Sequence, residues 1–248
     1  MMMREWVRLP TAWIYAAGLT RFRWRAGTGA DNIAALMSLA AIAHHADDET
    51  GVSIITYDRL CISTGLSRAK IAAALNVLEE REIIERRANG RSTLKLCNYD
   101  RTKGWGKLPA RKLYSGGVIS AFSDFHLRQP AELHALMLYY LVVAFRNNTT
   151  NMAKIGYDKI EEYTGIDRGR IKGGLNVLTA NRLVHIEHLP ATRDGHVASA
   201  YRLACLDSYS HMGTAGRGRD VEEYDDPTTT GQGRPFGFAT QQQGETRR

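Results

Sequence analysis

The chain has 248 residues, of which 44% are hydrophobic, and it carries a formal net charge of +7 at pH 7. That length suits one large or two ordinary domains with packed cores, and the basic excess is compatible with a polyanionic partner. No apolar run approaches the roughly 20 residues that a membrane span requires, so we expect no membrane partner.

The first predicted elements lie between residues 31 and 65. Apolar side chains recur at helical spacing over residues 31–46, which predicts a helix with Asp31 as its N-cap. A short strand is predicted over residues 52–55. A second helix is predicted over residues 56–65 and ends at Gly65. Two residues are candidates for its N-cap: Thr56 and Asp58.

A third helix and a hairpin complete this plan. Ser67 is predicted to cap a helix over residues 68–82. Its apolar positions fall at i, i+4 and i+7, which places them on the core face: Ile71, Leu75 and Leu78. Residues 83–97 have apolar and β-branched side chains on both sides of Asn89-Gly90, which is a strong hairpin signal. The predicted order is therefore helix, strand, helix, tight turn, helix and hairpin.

The same plan occurs twice, because residues 57–86 align without a gap with residues 157–186. Ten of these 30 positions are identical: Tyr57, Asp58, Thr64, Gly65, Arg68, Ile71, Leu75, Asn76, Val77 and Leu78. The start also repeats one residue out of register, since "WVRLPTAWIY" (6–15) resembles "WGKLPARKLY" (105–114). A repeat of about 100 residues is the size of a domain rather than of a solenoid unit.

These observations predict three regions. Residues 1–100 form a first domain and residues 101–206 form a second, whose hairpin turns at Asp194-Gly195. Residues 207–248 contain few aliphatic side chains and are rich in Gly, Thr and Gln. Such a segment buries too little apolar surface to offset its ordering entropy, so we predict a disordered tail.

Two segments resemble the bacterial winged-helix core: "ITYDRLCISTGLSRAKIAAALNVLEEREII" (55–84) and "IGYDKIEEYTGIDRGRIKGGLNVLTANRLV" (155–184). The shared pattern is a Tyr-x-x-Leu helix, a Thr-Gly-Leu-Ser turn and a recognition helix. In addition, "KLPARKLY" followed by "ALMLYYLVVAFRNN" resembles the start of the winged helices in plasmid and phage replication initiators. The resemblance implies two tandem winged-helix domains, mainly α with small β-hairpins (α+β).

The same resemblance implies a sequence-specific double-stranded DNA-binding protein of the plasmid or phage initiator type. Two alternatives stay open: a transcriptional regulator of a plasmid or phage promoter, and a non-enzymatic winged-helix adaptor that binds protein. The implied partners are double-stranded DNA, replication or transcription proteins and a second copy of the chain in a homodimer. Three cysteines without a CxxC pair predict reduced thiols, in agreement with the bacterial cytosol or nucleoid.

The predicted DNA contacts lie on the outward faces of the two third helices and on the hairpins. In the first half they are Ser67, Arg68, Ala69, Lys70, Ala73, Arg86, Arg87, Arg91 and Lys95. In the second half they are Arg168, Arg170, Lys172, Gly173 and Arg193. Arginine donates two hydrogen bonds to a guanine edge, and cations near a hairpin tip contact phosphates. The alternative is a solvated basic surface without a ligand.

Two further features of the sequence leave alternatives open. "TRFRWR" (20–25) alternates arginine with aromatic residues, which indicates either a phosphate-contacting edge or a solvated basic edge. The predicted third helix of the second half contains three glycines: Gly169, Gly173 and Gly174. Each costs roughly 1 kcal/mol relative to alanine, so either the backbone packs closely there or the helix is ordered only on binding.

No catalytic constellation is present in the sequence. Phosphate-binding loops, GxSxG and HExxH are all missing, and we expect neither enzymatic activity nor a cofactor. His44-His45 is interpreted as a helix end rather than as a metal site, so no metal is expected.

Overall fold

Two copies of one arrangement of elements follow each other in the computed structural model, which describes residues 3–87, 92–188 and 199–206. The predicted tail over 207–248 and both predicted hairpin tips lie outside these residues. The described part is mixed α and β, with seven α-helices and four small sheets. None of the described helices combines the length and the apolar character needed to span a bilayer.

The first half contains four helices and four strands. Its helices are α1 (Ala12–Tyr15), α2 (Gly29–His44), α3 (Tyr57–Thr64) and α4 (Arg68–Glu80). Its strands are β1 (Trp6–Pro10), β2 (Val52–Ile54), β3 (Ile84–Arg86) and β4 (Thr93–Leu96). A short 3-10 helix spans Gly18–Arg21. The predicted helices and strands are confirmed to within a few residues, whereas β1 and α1 were not predicted.

The second half repeats this order with an added hairpin near its start. Its helices are α5 (Pro130–Phe145), α6 (Tyr157–Thr164) and α7 (Arg168–Ala180). Its strands are β5 (Trp105–Pro109), β6 (Tyr114–Ser115), β7 (Val118–Ile119), β8 (Met152–Lys154), β9 (Val184–His188) and β10 (Ser199–Leu203). The strand before α3 and the strand before α6 each join the later strand pair of their half in an antiparallel sheet. The strand orders are β2-β4-β3 and β8-β10-β9.

Capping side chains explain where the helices of the first half begin. The hydroxyl of Thr56 accepts from the Arg59 amide at the start of α3, and the hydroxyl of Ser67 accepts from the Lys70 amide at the start of α4. The prediction that Asp31 caps α2 is wrong, because the helix begins earlier, at Gly29. Asp31 lies in the first turn, where a carboxylate is favoured by the helix dipole.

Helices α2 and α5 form the centre of the molecule. Of the 16 residues of α2, 14 are buried, and 12 of the 16 in α5 are buried. A helix that is apolar on all sides requires neighbours on all sides. Helix α2 packs against α4, α5 packs against α7, and α2 and α5 also pack against each other. The Tyr140 hydroxyl of α5 donates to the Leu36 carbonyl of α2 at 2.7 Å.

The two halves are also joined by an antiparallel ribbon of β1 and β5. In the repeat, Trp6 corresponds to Trp105 and Arg8 to Lys107. Trp6 pairs with Pro109 and Pro10 with Trp105, so Arg8 lies opposite its own counterpart Lys107. Equivalent residues face each other only when a local two-fold axis passes between them. The ribbon therefore relates the two halves by an approximate two-fold rotation.

Two tyrosine contacts between the halves repeat this symmetry. The Tyr15 hydroxyl of the first half donates to the Ala144 carbonyl at the end of α5, at 2.5 Å. The Tyr114 hydroxyl of the second half lies 3.0 Å from Nδ1 of His44 at the end of α2. Each half thus places its leading segment against the central helix of the other half. The buried side chains of both halves belong to one continuous core.

Candidate nucleic-acid interface

The first residue of α4 carries an exposed, oriented guanidinium. Nη1 of Arg68 forms an ion pair with Oδ1 of Asp58, which lies one residue into α3. The guanidinium carbon also lies 5.9 Å from the ring centroid of Tyr57. Because α3 and α4 meet at the tight turn through Gly65, both partners on α3 reach the start of α4.

The second half contains the same constellation. Nη1 of Arg168 forms an ion pair with Oδ1 of Asp158, and its guanidinium carbon lies 5.7 Å from the ring centroid of Tyr157. The three residue types were among the identical positions of the repeat, but sequence reasoning assigned a DNA-binding role only to the arginine and considered Asp58 only as a helix cap. Their identity at an offset of 100 residues was the signal that an arginine and its two supports recur together.

These ion pairs leave the arginines available to a ligand. The side chain of Arg68 is 68% exposed and that of Arg168 is 64% exposed. Exposed ion pairs contribute at most about 1 kcal/mol, so a ligand anion displaces them at small cost. A guanidinium has five N–H donors in a fixed fork, and one carboxylate oxygen occupies only part of them. The carboxylate and the ring hold the side chain in place while further donors remain for another group.

The remaining predicted residues of α4 and its N-cap differ in exposure. Ser67 and Ala69 are exposed, whereas Lys70 and Ala73 are partly buried. Nζ of Lys70 lies 2.7 Å from Oδ1 of Asp31, on the first turn of α2. Lys70 is therefore directed along the protein surface toward α2, and its side chain is 41% exposed.

In the second half the predicted residues Arg168, Arg170, Lys172 and Gly173 are all exposed. Nε of Arg170 lies 3.3 Å from Oδ2 of Asp167, a pair within the first turn of α7. Arg68 and Arg168 thus have equivalent partners. Lys70 and Arg170 pair with aspartates at different positions.

The three glycines of α7 have two different environments. A Cβ atom on Gly174 would lie 2.9 Å from Cδ1 of Leu138 and 3.0 Å from Cβ of His134, so α7 approaches α5 closely there. At Gly169 and Gly173 a Cβ atom would meet nothing within 4 Å. Close packing inside the protein therefore explains Gly174 and does not explain the other two, which leave a smooth, exposed surface beside Arg168.

Two of the predicted cations on the first sheet have different surroundings. Nη2 of Arg86 donates to Oδ1 of Asn76 at 2.5 Å, and its Nε lies 3.2 Å from Oε2 of Glu79. Arg86 therefore lies across the outer side of α4. Lys95 on β4 stands opposite Glu85 on β3. The predicted contacts Arg91 and Arg193 lie outside the described residues.

A surface groove connects the start of α4 with the sheet of the first half. Its volume is about 450 Å³, and it is partly open to solvent. Three arginines line it: Arg68, Arg86 and Arg87. Four side chains with a hydroxyl group and the Asp58 carboxylate also line it, the four being Thr56, Tyr57, Ser92 and Thr93. Guanidinium and hydroxyl groups are the side-chain donors that most often contact phosphate oxygens, so the groove suits an extended chain of phosphates.

Comparisons of the chain with protein-family models, with curated proteins and with solved structures gave no match.

Proposed function

We propose that the protein binds double-stranded DNA in a sequence-specific manner, through two winged-helix units that present α4 and α7 to the major groove. One observation carries this proposal: the same exposed arginine, supported by the same tyrosine and aspartate, stands at the start of the third helix in both halves. A solvated surface has no requirement for this arrangement, and none for its duplication.

The arginines at the starts of α4 and α7 match the chemistry of guanine. O6 and N7 of guanine accept two parallel hydrogen bonds from a guanidinium in the major groove. In helix-turn-helix proteins the first residues of the recognition helix contact base edges. The neighbours of these arginines are small, namely Ala69 in the first half and Gly169 in the second, which lets the helix approach the bases closely.

The groove beside α4 provides the site for a phosphate backbone in the first half. Phosphate contacts fix the position of a protein on the duplex, while base contacts give specificity. The second half has a less basic sheet, since Ile186 and Glu187 stand where the first half has Arg86 and Arg87. We therefore infer that the first half contributes more of the salt-dependent binding energy.

The approximate two-fold rotation between the halves determines the form of the target. Protein two-fold symmetry requires two half-sites in opposite orientations. Because the halves are similar and not identical, the target is an imperfect inverted repeat. The covalent connection makes binding of the second half intramolecular, which raises affinity without additional contacts.

The biological role that we propose is initiation of replication of a plasmid or phage, which rests on the resemblance of the sequence to initiators. Selection of bound fragments from the source replicon tests this role. A cluster of binding sites in one orientation supports an origin. A single site that overlaps a promoter instead supports the transcriptional regulator.

Binding of duplex DNA is tested by titration of the full chain with selected and random fragments across a salt series. We expect affinity for both to fall steeply as salt rises, because neutralised phosphates release counterions. Arg68→Ala and Arg168→Ala are each expected to cost about 1–3 kcal/mol for the selected site and to reduce discrimination. Lys103→Ala is the control, because it removes one exposed charge outside the third helices.

Two results would contradict the proposal. A protein adaptor shows little binding to any fragment at moderate salt. Unchanged affinity and unchanged site preference in both arginine variants would exclude docking of α4 and α7 in the major groove.

A further inference from the structure

The first half contributes a segment to the surface around the third helix of the second half. This segment follows α1 and contains the 3-10 helix Gly18–Arg21, which packs against α6. A Cβ atom on Gly165 would lie 3.8 Å from Cβ of Thr20 and 3.9 Å from Nη2 of Arg23. Gly165 is the turn residue between α6 and α7. The guanidinium of Arg23 therefore lies beside the turn that precedes Arg168.

The backbone of this segment is firmly anchored, so the position of Arg23 is defined. The Asn32 side chain, which is 3% exposed, donates to the Arg23 carbonyl at 2.7 Å. Oδ1 of Asn32 in turn accepts from Arg81 at 2.7 Å. Phe22, the residue before Arg23, is buried, and the Arg81 guanidinium carbon lies 3.8 Å from its ring centroid.

The arginines of this segment have different environments. Nη2 of Arg21 donates to the Glu80 carbonyl at the end of α4 at 3.1 Å, where a cation is favoured by the helix dipole. Arg23 is exposed and forms no ion pair with any residue in the described ranges. Arg21 therefore stabilises its own half, whereas Arg23 presents a charge at the other half.

The first half receives no such cation in return. In the aligned segment of the second half, Ser123 takes the position of Arg23. The turn residue Gly65 has open space where a Cβ atom would stand. Arg23 therefore lies beside the half whose sheet lacks counterparts of Arg86 and Arg87.

We propose that Arg23 is a phosphate contact of the DNA half-site that α7 occupies, although the first half carries it. The turn before a recognition helix lies close to the DNA backbone when the start of that helix enters the major groove. A guanidinium at this turn reaches a phosphate oxygen on the strand that flanks the half-site. This inference rests on the proposed function.

The test uses the full chain and a selected duplex whose phosphates are ethylated one at a time. Loss of base protection in Arg68→Ala and in Arg168→Ala first identifies the half-site of each helix. In Arg23→Ala we expect one phosphate to lose its effect at the half-site that Arg168 defines. We expect affinity to fall by roughly 3- to 10-fold and the salt slope to fall by about one.

Two variants separate a DNA contact from a structural role. Arg23→Lys is expected to restore most of the affinity, because a lysine ammonium also contacts phosphate, and Lys103→Ala is expected to change none of the interference pattern. A phosphate effect lost at the half-site of Arg68, or at neither half-site, would overturn the inference while the proposed function stands. Absence of salt-dependent DNA binding by the unaltered protein would overturn both.

Discussion

Arg8 lies directly opposite Lys107 in the antiparallel ribbon of β1 and β5, and the two residues occupy the same position of the sequence repeat. This pairing is the arrangement found at the two-fold axis of a symmetric dimer. The guanidinium carbon of Arg8 also lies 4.7 Å from the ring centroid of Trp105, while Nζ of Lys107 lies 4.7 Å from that of Trp6. The protein therefore has the internal symmetry of a dimer within one chain.

The aspartates that support the two arginines are expected to control specificity. In Asp58→Asn and Asp158→Asn the arginine loses its charged partner, and a negative charge near the phosphates is removed. Affinity for random DNA should rise severalfold, because less repulsion opposes phosphate contacts. Discrimination between selected and random fragments should decrease, because the guanidinium is held less firmly. Glu49→Gln, which removes an exposed charge elsewhere, is the control, and lower affinity for random DNA in both variants contradicts this prediction.

The glycines of α7 are expected to respond to alanine with opposite signs. Gly173→Ala has open space for its methyl group and should stabilise the protein by roughly 0.5–1 kcal/mol. Gly174→Ala places a methyl group 3.1 Å from the carbonyl carbon of His134 and should destabilise it. Denaturant unfolding measures both changes.

DNA binding gives a second measurement on the same variants. If the smooth surface at Gly173 serves close approach of DNA, Gly173→Ala should weaken binding although the fold is more stable. Equal affinity of Gly173→Ala and the unaltered chain would show that this surface does not contact the ligand.

Two adjacent buried tyrosines provide a test of the contact between the central helices. Removal of the Tyr140 hydroxyl, which donates to the Leu36 carbonyl, should cost about 1 kcal/mol of unfolding free energy in Tyr140→Phe. The Tyr139 hydroxyl is also buried and has no hydrogen-bond partner among the described residues. Tyr139→Phe should therefore be neutral or stabilising. The same loss of stability in both variants would argue against a specific role for the bond between α5 and α2.

Stability is expected to decrease in mild acid because of His44. Nε2 of His44 donates to the Pro109 carbonyl at 2.8 Å, and Nδ1 accepts from Tyr114. Burial lowers the pKa of His44 from 6.5 to about 3, and the charge of His45 adds to this effect. Below pH 6.5, His44 is protonated in the unfolded chain but stays neutral in the folded protein. Stability from this group is therefore complete above pH 6.5 and declines as the pH falls toward 3.

The expected loss is about 1.4 kcal/mol at pH 5.5 and grows by nearly the same amount for each further pH unit. Denaturant unfolding between pH 4.5 and pH 7.5 measures it. His44→Gln should flatten the profile, whereas His185→Gln, at an exposed position on β9, should retain it. An unchanged slope in His44→Gln would mean that other groups cause the acid sensitivity.

Local patterns in the sequence predicted most helices and sheet strands because each depends on neighbouring residues. Thr56 and Ser67 cap the helices that they precede, and Ile71, Leu75 and Leu78 are buried as their spacing indicates. The cap at Asp31 was misassigned because α2 begins two residues earlier, at Gly29, and the Asp31 carboxylate instead pairs with Lys70, which is 39 residues away.

The relation between the halves was not predictable from local patterns. The similarity of "WVRLP" to "WGKLP" was visible, but nothing in either segment shows that one pairs with the other. The location of Arg23 beside the second half was likewise not predictable, because it depends on how the two halves pack against each other. The supports of Arg68 were visible as repeated residues, and only the contact across the turn gives them a role.

The hydrogen bonds of Tyr15 and Tyr114 to the central helix of the opposite half have a consequence for the helical phase of the proposed DNA site. Tandem modules on a flexible linker tolerate variable gaps between their sites, whereas here the protein interior sets the distance and angle between α4 and α7. Insertion of one base pair between the half-sites rotates one half-site by roughly a tenth of a turn relative to the other. The proposed function therefore predicts that the two half-sites must lie at one fixed separation along the duplex.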